Sequence, residues 1–159
     1  MPIVLNRVDE RLIHGQVVVG WGSQLRPDRY LVVDTLLATS AWEQELYTLG
    51  VPERITVEFL APGPAREELA GWRESALRSV LLTRDLSTML ELARGGTLEG
   101  EVLNLGGLHL KSGRVEVLPY LFLDASDRLA LRELAVEGVR ISAQDLPGSP
   151  RITLESLLG

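Results

Sequence analysis

Apolar residues fall in short runs, and between the runs they recur at helical spacing. Runs at residues 3–8, 30–33, 55–60, 78–83, 102–105 and 139–142 are rich in Val, Ile and Leu and end at polar or glycine residues, which predicts strands. A further apolar run at 114–123 is interrupted by Pro119, so it is expected as an edge or irregular strand, because proline cannot donate to a central ladder. Between the strands, helices are predicted over 15–25, over 41–49 behind an N-cap at Thr39 or Ser40, over 65–71 after a Pro62-Gly63-Pro64 turn, over 85–94 and over 127–137. The first of these is weak: Val17, Val18 and Val19 are β-branched and Gly20 and Gly22 are flexible, so burial has to hold it. In the fourth, Leu86, Met89, Leu90 and Ala93 share one face. Strand and helix thus alternate, which predicts an α/β three-layer architecture with a mostly parallel, mixed sheet of about seven strands and helices on both faces.

Length and composition narrow this picture. The chain has 159 residues, 45% of them hydrophobic, and shows no repeat or linker, so one domain over residues 1–159 is expected. A net charge of −6 without any basic block argues against nucleic acid as the main partner. No apolar run reaches the length of a membrane span and the first residues do not form a secretory signal, so a cytoplasmic protein that does not itself cross the membrane is expected. Cysteine is absent, which removes disulfides and thiolate metal sites and suits a reducing compartment. With two histidines and no cysteine, neither a metal nor an organic cofactor is expected; no GxGxxG or P-loop lysine motif is present.

Candidate chemistry gathers where the first strand stops, in Val8-Asp9-Glu10-Arg11-Leu12-Ile13-His14-Gly15-Gln16-Val17. In parallel sheets ligands sit beyond the carboxyl ends of the strands, and the loops at Thr83-Arg84 and at Asn104 to Gly107 are expected at the same end. A neutral imidazole at His14 is nucleophilic near neutral pH. Arg11 offers a guanidinium to an anion, and the helix start at Gly15 and Gln16 offers free N–H groups. Glycine at 15 leaves room for an anion to approach the backbone, and Asp9 is placed to orient Arg11 or the imidazole. Spacing alone leaves His14 open between an anion-handling role and a surface or core role. His109, between Leu108 and Leu110, reads as structural or surface.

The decapeptide from Val8 to Val17, followed by Gly20-Trp21, resembles the signature of the IIB subunit of the mannose/fructose/sorbose family of the bacterial phosphoenolpyruvate-dependent sugar phosphotransferase system. Val32-Val33-Asp34, the segment from Leu81 to Asp85 and the segment from Asn104 to His109 extend the resemblance over essentially the whole chain. It implies a phosphocarrier: His14 as the acceptor, through Nδ1, of a phosphoryl group from a separate IIA partner, Arg11 as its charge partner, and delivery to a hexose bound by membrane IIC/IID subunits. Asp9, Gly15, Gln16 and Thr83 fall in supporting positions. The family often carries aspartate where Glu10 stands, and acidic residues near the positions of Thr35 and Ser40. Two alternatives stay beside this reading: a regulatory phosphohistidine protein of the same fold that controls a partner, and a non-enzymatic anion-binding α/β module.

Overall fold

The structure, a computed structural model, describes residues 2–159. Strands β1 (Ile3–Val8), β2 (Arg29–Val33), β3 (Thr56–Leu60), β4 (Ser79–Thr83) and β5 (Val102–Leu105) form where the apolar runs stand. A hairpin of β6 (Val115–Leu118) and β7 (Leu121–Leu123) follows, then β8 (Arg140–Ala143) and β9 (Ile152–Thr153). Seven strands make one sheet in the order β3-β2-β4-β1-β5-β8-β9, parallel throughout except for β9, which runs antiparallel to β8.

Helices α1 (Gly22–Leu25), α2 (Ala41–Leu49), α3 (Pro62–Glu74), α4 (Leu86–Ala93), α5 (Ala125–Val136) and α6 (Leu154–Leu158) flank that sheet. Right-handed crossovers place connections that move one way along the sheet on one face and those that move back on the other. Two apolar cores result. The larger packs α3, α4, α5 and α6 against one face through residues such as Leu69, Trp72, Met89, Leu131 and Leu157. The smaller, around Leu12, Val17, Trp21, Tyr30 and Leu37, covers the other. The chain leaves β1 toward β2 on one side and leaves β5 toward β8 on the other, so β1 and β5 bound a switch point where loops part and a crevice opens.

Several elements differ from expectation. The segment after His14 is a π-helical turn, Gln16–Trp21, continuing into α1: the Gly22 N–H reaches back five residues to the Val17 carbonyl, while at its start the N–H groups of Val17 and Val18 both donate to the His14 carbonyl, at 3.0 and 2.9 Å. Helices with such a widened turn are frequent at functional sites. Pro62-Gly63-Pro64 is the first turn of α3 and not a separate turn, because proline suits initial helical positions whose N–H has no partner. The apolar stretch around Pro119 is the β6–β7 hairpin, a separate two-stranded sheet, and α5 starts earlier than expected because Asp124 and Asp127 form a reciprocal capping box. The C-terminal β9 and α6 were not expected at all.

Candidate functional site

At the end of β1 the backbone is tied on both sides. Asp9 N–H donates to the Thr83 carbonyl at 3.0 Å and Glu10 N–H to the Gly107 carbonyl at 2.9 Å, so the loop begins at a fixed point between the β4 and β5 ends. Leu12 then adopts a left-handed conformation, φ 54°, with its side chain fully buried. That conformation is unfavourable for leucine and is held by the burial of Leu12 and Ile13 in the smaller core. The next side chain, His14, is thereby left at the crevice.

One carboxylate organises the site. Asp9 is fully buried, and its Oδ2 accepts from His14 Nε2 at 3.0 Å while Oδ1 accepts the Arg11 N–H at 3.1 Å. Behind it lies Arg7, also fully buried, donating to the same Oδ2 from Nη2 at 3.0 Å and from Nε at 3.3 Å. Arg7 also donates to the Asn104 side chain and to the carbonyls of Gln144 and Asp145, and its guanidinium lies over the Trp21 ring, 5.5 Å from the centroid. A buried charge survives only when paired and hydrogen-bonded, and Arg7 is both. Burial acts to raise the Asp9 carboxyl, but the hydrogen bond from His14, the Arg7 charge, the charge of a protonated His14 and the Arg11 N–H outweigh it and hold it at about 2. Burial lowers Arg7, with Asp9 opposing.

For a neutral His14 ring the consequence is a fixed tautomer. A carboxylate accepting from Nε2–H leaves the Nδ1 lone pair free, and Nδ1 meets no protein partner among the described residues. Because Arg7 neutralises Asp9 from behind, the charge facing the crevice is that of Arg11, an exposed side chain whose Nη2 reaches Gln16 Oε1 at 3.3 Å. The N–H groups of Gly15 and Gln16 find no protein acceptor among the described residues. A Cβ at Gly15 would meet nothing within 4 Å, so the space beside it is open. Arginine, unpaired N–H groups and an oriented imidazole are together suited to a phosphate-like anion.

The structure thus brings His14, Arg11, Asp9, Gly15 and Gln16 together. Thr83 enters only through its backbone: its buried hydroxyl donates to the Asp85 carbonyl at 2.9 Å. Arg84 turns to Asp34 at 3.4 Å. Sequence reasoning placed the Asn104–Gly107 loop at this end of the sheet but gave no site role to Arg7, Asn104, Trp21 or Gly106. The signal for Arg7 was a cation inside an otherwise apolar strand run, a position that requires a buried partner. Gly106 is required sterically, since a Cβ there would collide with the Arg7 guanidinium and the Asp9 carboxylate.

A doubly wound sheet with an anion-receptive loop at its switch point defines an α/β protein with an anion-site geometry at the β1 end. Residues 3–159 match the family described as the sorbose-subfamily IIB component of the phosphotransferase system, and the chain belongs to that family. It is 32% identical over 161 residues to the N-acetylgalactosamine-specific phosphotransferase enzyme IIB component 2 of Escherichia coli K12, covering 99% of this chain and 100% of that protein. Among solved structures, manxB from Thermoanaerobacter tengcongensis superposes with a TM-score of 0.85 at 27% identity, over 98% of this chain and 94% of that one. The IIB domain of the sorbose permease from Klebsiella pneumoniae shares the fold, with a TM-score of 0.88 at 24% identity over 99% of this chain and 96% of that one.

Family membership supports phosphotransfer as the general function and components of the same system as partners. It corrects three expectations: the histidine-carried sugar phosphocarrier, the protein-phosphohistidine:sugar phosphotransferase activity, and phosphohistidine as the chain's signature. No histidine-bound phosphoryl group comes with the family assignment or the relatives' names. Carriage on a cysteine thiolate, the other nucleophile suited to a covalent phosphoryl intermediate, has no residue to use in this chain. Among the described residues no helix is long and apolar enough to cross a membrane.

Proposed function

We propose that this chain is a phosphotransferase-system IIB-family protein that works as an anion-binding α/β module: its His14 loop binds, without covalent bond formation, the phosphoryl group presented by a partner. The observation that carries the reading is the Arg7–Asp9–His14 chain of contacts, which fixes an imidazole with a bare Nδ1 beside Arg11 and open N–H groups. Phosphate oxygens accept from Arg11 and from the Gly15 and Gln16 N–H groups, and the bare Nδ1 of His14 accepts from the P–OH of a monoprotonated phosphate. A IIA protein is the phosphorylated partner this implies, with the membrane IIC/IID subunits and the hexose they handle further along the same system. The chain then acts in the cytoplasm as a single domain over residues 1–159. Exposed Trp42 and Leu46 on α2, which share a depression with Ile13, give such a partner apolar surface next to the loop.

Isothermal titration with inorganic phosphate tests the reading. One site is expected, weakened about tenfold or more in Arg11→Gln, in line with the loss of a charge-assisted hydrogen bond, and about tenfold or more in His14→Ala, which removes the acceptor for the P–OH of the anion. Incubation with a phosphorylated IIA protein should leave no label on this chain after gel filtration. Absence of phosphate binding, or acid-labile phosphate retained on His14, overturns the binding-only reading.

A further inference from the structure

The two consecutive carboxylates at the end of β1 hold the two histidines of the chain. Asp9 takes His14 through Nε2, and Glu10 takes His109 through Nδ1, at 3.1 Å. Glu10 also accepts the His109 backbone N–H at 3.2 Å and an ion pair from Arg114, whose guanidinium continues to Asp127 at 3.2 Å and donates to the His109 carbonyl at 2.9 Å. Lys111 stands 3.8 Å from the same carboxylate. The loop below is fixed as well: Leu108 N–H donates to the Tyr120 carbonyl at 3.0 Å, and Phe122 N–H to the Leu108 carbonyl at 2.8 Å. An exposed histidine on a free loop has no set direction. His109 does, although its side chain is 53% exposed.

That direction is toward Gly107, beside the Asp9 end of β1. A Cβ placed on Gly107 would lie 3.5 Å from His109 Nε2 and 3.8 Å from both Asp9 Oδ1 and the Tyr120 carbonyl oxygen, so the His109 ring closes over buried Gly107 on the side of the carboxylate that orients His14. His109 Nε2 has no protein partner among the described residues. We infer that His109 is a second anion-contacting residue of the His14 site, held by Glu10 at the Asp9 side of the β5 loop so that the exposed edge of its ring presents Nε2 to a phosphate oxygen. The inference rests on the anion-binding reading of His14 and extends it to the β5 loop. A neutral ring with Nδ1–H on Glu10 presents an Nε2 lone pair to the P–OH of a monoprotonated phosphate. A protonated ring donates from Nε2 to a phosphoryl oxygen. Both states keep the Glu10 contact.

Because the chain has only two histidines, its imidazoles give two assignable sets of ring signals in the 15N-histidine-labelled protein, identified with His14→Gln and His109→Gln. Titration with inorganic phosphate should move both rings with one midpoint. His109→Ala should weaken binding by about threefold to tenfold, the range for one hydrogen bond, with an unchanged melting temperature, and His109→Gln should recover part of it. Gly107→Ala, whose methyl group would make ordinary contacts only, should weaken phosphate binding without unfolding the chain. Movement of the His14 ring alone, with His109→Ala binding as the parent does, overturns this inference and leaves the site reading standing. If neither ring moves, the site reading itself fails. Movement of His109 alone overturns both, since phosphate would then bind away from His14.

Discussion

Asp9 is the residue on which the site turns, because it joins a buried cation to an exposed-edge imidazole. Its carboxyl is held at about 2 against an ordinary 3.8, so the folded state prefers the ionised form more strongly than the unfolded chain does. Stability from this group is therefore fully present above about pH 4 and is lost as pH falls through the folded value. The difference corresponds to about 2 kcal/mol. Urea unfolding across that acid window should show this loss in the parent and lack it in Asp9→Asn, which cannot titrate; an identical acid slope in both would show that Asp9 is not the group responsible. Arg11 differs in kind. It is exposed and makes one long contact to Gln16, so Arg11→Gln should leave the melting temperature within about a degree while weakening anion binding.

The elements that build the site do so through glycine and tight loop ends. Gly106 lies against the Arg7–Asp9 pair with no room for a side chain. Gly106→Ala is expected to push the Asp9 carboxylate off His14 and to cost about 1–3 kcal/mol, as overpacking does, measured by thermal melting and by loss of the single His14 ring tautomer in 15N spectra. A variant that melts and binds phosphate as the parent does would contradict the close approach. Much of this level was legible beforehand. Apolar runs at β1, β2, β4 and β5 are short and nearly continuous, as strands buried on both faces must be, and they located the sheet and its loop ends. Arg11, His14 and Gly15 stood out because their chemistry is unusual at a strand end. Arg7, Asn104 and Gly106 did not, because their roles depend on β1 and β5 lying side by side, a pairing across about a hundred residues that local pattern does not carry. Local pattern also failed at Pro62, where proline reads equally as turn and helix start, and at Pro119, where one apolar run folds back on itself.

At the scale of the molecule, the doubly wound order places loops from β1 and β5 together while the larger core holds them from beneath. The C-terminal segment belongs to that support: α6 buries Leu157 in the larger core and β9 pairs with β8, the strand whose following loop supplies two carbonyls to Arg7. Its short length and polar neighbours hid it from sequence reasoning. Leu157→Ala should cost about 2–3 kcal/mol in denaturant unfolding, the lower part of the range for a truncated buried leucine, and an unchanged midpoint would mean that α6 does not support the fold. The net charge of −6 repels anions at long range, so any affinity for phosphate has to come from the local arrangement at the His14 loop. Calorimetric titration of the full chain with inorganic phosphate, beside His14→Ala, is the most direct measurement of that claim. The account predicts one site in the parent, weakened about tenfold or more when the imidazole is removed; equal binding by both proteins, or none by either, would contradict it.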